Sequence, residues 1–153
     1  MPEYFCVSLI MKQTATSKET ARRCLFENFR LVEGENNPGP FYNGNIVVTF
    51  IEEDKDVDFD EVCISFPEQI FHKGNFENEL NTFTSFVNTC FECCPEVEFA
   101  VCSYEINGYL ISETRKLKEF NKKLLSKFPI SYRRQIGLKH PQLTLNLEAQ
   151  DIF

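Results

Sequence analysis

The sequence predicts an α+β domain: an antiparallel sheet with helices packed on one face. Three observations lead there. Between Asn75 and Cys94, apolar side chains fall at Phe76, Leu80, Phe83, Val87, Cys90, Phe91 and Cys94, the spacing of one helix face. Several shorter stretches are rich in β-branched and aromatic residues, and two of them alternate apolar with polar positions. The order is β-α-β-β-α-β, then a further helix and strand, and the first six elements match the ferredoxin-like plan. With 153 residues, the expectation is a single globular domain over 1–153.

Tyr4 to Met11 is mostly apolar and suits a buried strand. Thr16-Ser17-Lys18-Glu19 offers a capping box, and Ala21, Cys24, Leu25 and Phe29 form one stripe, so 17–31 is expected to be helical. Gly34 to Gly44 holds Gly, Pro and Asn in quantity and is a loop. Asn45 to Ile51 is a strand, Glu52 to Glu61 a dense acidic connection, and Glu61 to Phe66 a second strand. Together they resemble a long hairpin. Val62, Ile64 and Phe66 share one face of it.

Pro67 to Gly74 is another loop. Asn75 is placed to cap the long helix, Glu77 and Glu79 favour the positive end of its dipole, and Pro95 stops it. Val97 to Tyr104 follows as a strand. Ser112 to Phe128 is expected to form a third helix, with Leu117, Phe120, Leu124 and Phe128 on one side and six basic residues elsewhere. Pro129 ends it. Gln142 to Leu147 alternates and is the last strand.

Composition narrows the function. Apolar content is 42 % and charged content 25 %, as in ordinary globular chains. The 16 Phe, with no Trp, point to a Phe-rich core. No apolar run reaches the roughly 18 residues of a membrane span. Met1 to Cys6 carries an acid and no basic region, so no secretory signal is expected, and the location is cytoplasmic. The seven Cys are then expected to be reduced thiols. The net charge of −7 is unevenly spread. Residues 31–111 hold 16 acids and 2 bases, while 112–140 hold 2 acids and 9 bases. A division of this kind marks a binding surface.

Each candidate chemistry has a plain competitor. Asp54, Asp56, Asp58 and Asp60 alternate, so an extended chain puts all four on one side. They resemble the start of an EF-hand loop, but Phe59 stands where Gly is needed and Ser65 where Glu is needed. The remaining readings are a solvated hairpin tip and a docking surface for a basic partner. Cys90, Cys93 and Cys94 lack the paired spacing of a zinc site and lie at a helix end, where the dipole does not activate thiols. No cofactor or metal is expected. His72 and His140 each stand beside Lys, and no G-x-S-x-G, P-loop, G-x-G-x-x-G or H-E-x-x-H motif occurs. Glu105 and Asn107 follow a strand and would suit a cleft rim. The expectation is a protein that is not an enzyme. The basic residues of 115–127 suit a solvated amphipathic helix, or one that packs near the acidic hairpin.

The section Phe76–Leu110 combines a Phe-rich amphipathic helix, Cys93-Cys94-Pro95 and the run from Phe99 to Leu110. With the acidic balance and the absence of catalytic motifs, it resembles the cytosolic immunity proteins of bacterial polymorphic and contact-dependent inhibition toxin systems. The resemblance implies a one-to-one complex with a toxin domain, often a basic nuclease, and contact with neither nucleic acid nor membrane. On that reading the contact surface is Glu52, Glu53, Asp54, Asp56, Asp58, Asp60 and Glu61, with Phe41 and Tyr42 as aromatic anchors. The alternatives are a phage-encoded inhibitor of a host nuclease or defence system, and a ferredoxin-like small-molecule sensor.

Overall fold

The computed structural model describes residues 4–39, 41, 44–52, 56–104 and 111–153. It is a mixed α/β protein built on a seven-stranded antiparallel sheet. The strands are β1 (Phe5–Lys12), β2 (Asn36–Pro38), β3 (Asn45–Ile51), β4 (Phe59–Phe66), β5 (Val97–Tyr104), β6 (Ile130–Arg133) and β7 (Gln142–Leu145). Their order across the sheet is β2-β3-β4-β1-β5-β6-β7. The helices that accompany them include α1 (Ser17–Phe29), α2 (Phe76–Cys93) and the single turn α3 (Lys122–Leu125).

One face of the sheet carries the main core. Phe5, Val7, Leu9 and Met11 of β1, with Ile46, Val48 and Phe50 of β3 and Val62, Ile64 and Phe66 of β4, meet Leu25 of α1 and Leu80, Phe83, Val87 and Cys90 of α2. Period two on the strands and the helical period on α2 therefore face each other. The Phe richness is spent here, in edge-to-face contacts such as Phe5–Phe71 and Phe71–Phe83, both at 5.3 Å. A register shift near Ile10 and Met11 lets Val97 join this core while Phe99 turns to the other face.

The helix ends use devices other than those the sequence suggests. Neither Thr16 nor Asn75 caps with its side chain. The Ser17 hydroxyl bonds Thr14 and Asp60 instead, and Asn75 accepts from the side-chain amide of Asn78. Helix α1 stops at Phe29, short of the expected 31, because Arg30 turns left-handed at φ 58° and its N–H returns to Phe26 O. Helix α2 ends at Cys93, just before Pro95.

The expected helix over 112–128 does not form. The chain makes a 3-10 turn at Leu117–Glu119 and then the single turn α3. Caps interrupt it. Glu119 Oε1 accepts from the N–H groups of Arg115 and Lys116, Asp58 accepts from Leu117 N at 2.6 Å, and Asn121 accepts from Leu124 N at 3.0 Å. Each N–H so taken is lost to a continuous helix. The segment also corrects the expectation of helices on one face alone. Ile111, Phe120, Leu125 and Phe128 cover Ile10, Phe59, Phe99 and Val101 on the opposite face.

Two strands lie outside those expected from the sequence. β2 forms within the Gly- and Pro-rich stretch, secured by buried Asn37, which bonds both the N–H and the C=O of Val32. β6 follows Pro129 directly and inserts between β5 and β7. With β2, it brings the sheet to seven strands, beyond the expected plan.

Candidate interaction surface

The acidic connection leads into β4 and lies against the basic segment rather than standing free. Asp58 N donates to Arg115 O at 3.1 Å, and Lys116 Nζ donates to Asp56 O at 3.0 Å. The Arg115 guanidinium lies 3.8 Å from the Asp56 carboxylate. Between these contacts Val57 is buried in the second core, and the Phe59 ring meets Phe120 edge-on at 5.3 Å. Apolar residues thus pull the acidic chain down onto the 115–120 segment, and opposite charges sit at the margin of that contact.

The proposed contact residues separate into distinct environments. Glu52 and Asp56 are exposed. Asp58 is exposed but caps the 3-10 turn through Leu117 N. Asp60 is buried, facing α1, and accepts from Ser17 Oγ at 2.5 Å and from Gln13 Nε2 at 3.4 Å. The expected row of four Asp on one side therefore does not exist among the described residues: Asp58 precedes the strand and Asp60 points into the core. Glu61 is half-buried on the other face. Burial pushes its carboxyl above the ordinary value, and the Ser8 hydroxyl partly opposes that rise. Phe41 is half-buried against Phe66 and Phe86, with ring centres at 5.6 and 5.4 Å, so it packs the core rather than projecting as an anchor. Glu53, Asp54 and Tyr42, together with Glu105 and Asn107, lie outside the described residues.

The thiols are not all free. Cys24 of α1 and Cys93 of α2 form a disulfide, their Cα atoms 5.6 Å apart, which corrects the expectation of seven reduced thiols. Cys90 and Cys94 are buried free thiols. Burial pushes Cys90 up, and burial with the nearby Glu96 carboxylate pushes Cys94 up to about 12. Burial raises Cys102 as well, and a hydrogen bond with Cys6 together with burial raises Cys63. Thiols held protonated in this way are weak nucleophiles at neutral pH.

Both histidines lie against glutamate carboxylates on the surface. His72 Nδ1 lies 2.7 Å from Glu79 and His140 Nε2 lies 2.5 Å from Glu92. Among the described residues no group of three or more His, Cys, Asp or Glu is placed to hold a metal ion, and no helix is long and apolar enough to cross a membrane.

Other surface features escaped the sequence reading. An apolar groove of about 330 Å³ runs between α1 and β3, lined by Leu25, Phe26, Val32 and Phe50 and closed on one side by Arg22, whose guanidinium sits 4.4 Å above the Phe50 ring. Phe26 is 48 % exposed there. In the β6–β7 connection Ile136 is fully exposed and Leu138 largely so. The only local signal for that turn is two apolar residues flanking Gly137 inside a polar stretch. No protein-family model, no curated protein and no solved structure matches this chain.

Proposed function

We propose that this is an immunity- or inhibitor-type binding protein that neutralises a basic partner domain, of the kind found in bacterial nuclease toxins, in a one-to-one complex in the cytoplasm. One observation carries the reading. The exposed carboxylates Glu52 and Asp56 lie at the acidic end of the β3–β4 hairpin, and the ion pair that the Asp56 carboxylate makes is weak. Arg115 and Asp56 are 3.8 Å apart with both side chains largely in water, a contact worth at most about 1 kcal/mol. A partner's Lys or Arg exchanges with it at little cost. Acids placed in this way speed the capture of a basic target by steering.

The contact set is narrower than the sequence suggested. Asp60 serves the fold, Asp58 serves the 115–119 turn, and Phe41 serves the core. The finer topology belongs to the same proposal: the adjacency of β3, β4, β1 and β5 in the sheet supports a ferredoxin-like unit with α1 and α2, extended by β2, β6 and β7.

The test is capture of the adjacent gene's product by tagged wild-type chain and by the double variant Glu52→Lys, Asp56→Lys, at low salt and at about 0.5 M salt, where exposed pairs are largely screened. The expected result is a stoichiometric basic partner that associates with wild type faster at low salt, and slowly at either salt with the variant. Equal association of both proteins removes the hairpin from the interface. A lack of any partner at both salts sinks the inhibitor reading.

A further inference from the structure

The layer on the second face of the sheet stops short of one edge. Its apolar residues cover β1, β4 and β5. Over β6 and β7 an open groove of about 440 Å³ remains between α3 and the sheet. Across the β6–β7 ladder Ser131 pairs with Thr144 and Arg133 with Gln142, so these four side chains share the face that floors the groove. Lys122 and Ser126 come from the α3 wall, and no carboxylate lines the groove among the described residues. Asn146 joins floor to wall: its N–H bonds Pro129 O and its side-chain amide bonds Ser126 O.

The positive charge here is not consumed by the fold. Arg115 and Lys116 are engaged by Asp56, whereas none of Lys118, Lys122, Lys123, Lys127 and Arg133 lies within 4.0 Å of a carboxylate oxygen among the described residues. Concave surfaces ringed by one sign of charge concentrate the opposite ion.

We propose that this groove binds a small phosphate-bearing anion, with Arg133 and Lys122 supplying the charge and the hydroxyls of Ser131 and Thr144 supplying neutral donors. A phosphate group carries several acceptor oxygens and close to two charges, matching two cations beside a ring of donors. The guanidinium of Arg133 suits two of those oxygens at once. Among the described residues no aromatic side chain lines the groove, so a nucleobase finds no stacking surface there and recognition rests on the phosphate. This site is separate from the acidic hairpin and does not depend on the inhibitor reading.

The test is isothermal titration of the full chain with inorganic pyrophosphate, against sodium chloride at matched ionic strength. The proteins are wild type, Arg133→Gln, Lys122→Gln and, on the exposed side of α1, Arg23→Gln. All three positions are on the surface, so folding is retained. The expected result is saturable binding by wild type and Arg23→Gln that weakens by about tenfold in each groove variant, the loss of one charge-assisted contact. The absence of saturable binding to wild type overturns the proposal, as does equal binding by all four proteins.

Discussion

The hydroxyl of Ser17, the first residue of α1, donates a 2.5 Å hydrogen bond to the carboxylate of Asp60 on β4, and both side chains are buried. The acid that alternation placed in an outward row is instead the joint between the helix and the sheet. Asp60→Ala removes the shorter of the two bonds of the Ser17 hydroxyl, leaving it the 3.1 Å contact with Thr14 O, and is expected to cost about 1–3 kcal/mol in urea unfolding. Ser17→Ala should cost a similar amount. Because the two groups serve each other, the double variant should cost less than the sum of the singles. Additive losses would show that the bond carries no coupling.

Arg134 ties the end of α2 to the start of β5. Its guanidinium donates to Val97 O at 2.6 Å, Phe91 O at 2.8 Å and Cys94 O at 3.2 Å, and sits 5.1 Å from the Phe91 ring. These carbonyls include those that the helix end leaves without partners. Arg134→Met should destabilise by about 2–3 kcal/mol, and Arg134→Lys should recover only part, since an ammonium lacks the planar fork. Native stability in the Lys variant would show that charge alone suffices.

The Cys24–Cys93 bond spans 69 residues and fastens α1 to α2. A cross-link closing a loop of that size is expected to contribute about 2–4 kcal/mol, chiefly by restricting the unfolded chain. Dithiothreitol should therefore lower the thermal midpoint of wild type. Its effect should vanish in the double variant Cys24→Ser, Cys93→Ser, which should already melt at the reduced temperature.

Glu61 has a folded-state pKa above the ordinary 4.5 because burial disfavours its charge. For a carboxyl raised in this way, the folded state favours the protonated form. Its contribution is complete at low pH and is lost as pH rises through the folded value. Glu61→Gln keeps the neutral form at every pH. The variant is expected to melt above wild type at pH 7, with the difference shrinking toward pH 4. A gap independent of pH would assign the effect to packing.

Much of the architecture was legible from local spacing. The apolar gaps along α2, the stop at Pro95, and the alternation of Val62, Ile64 and Phe66 each report which side of an element meets the core, and the structure places them so. β6 was also within reach, since Ile130 and Tyr132 alternate with Ser131 directly after Pro129, but four residues are too few for a period to stand out. The candidate surface was far less legible. Acid spacing told where charge was dense, not which carboxylates the fold would use for itself.

The sequence by itself determined the α+β class, the long central helix, the main strands and the division of charge, because amphipathic period and breaker residues act within a few positions of chain. Tertiary structure alone decided that Asp60 turns inward to Ser17, that Asp58 caps a turn 59 residues away, and that 112–128 breaks into short turns instead of a helix. Among the described residues it also left Lys122 and Arg133 without carboxylate neighbours beside a groove over β6 and β7. The reason is physical. A polar group must find a partner when it is buried, and which partner arrives depends on chain distant in sequence, which no local pattern encodes.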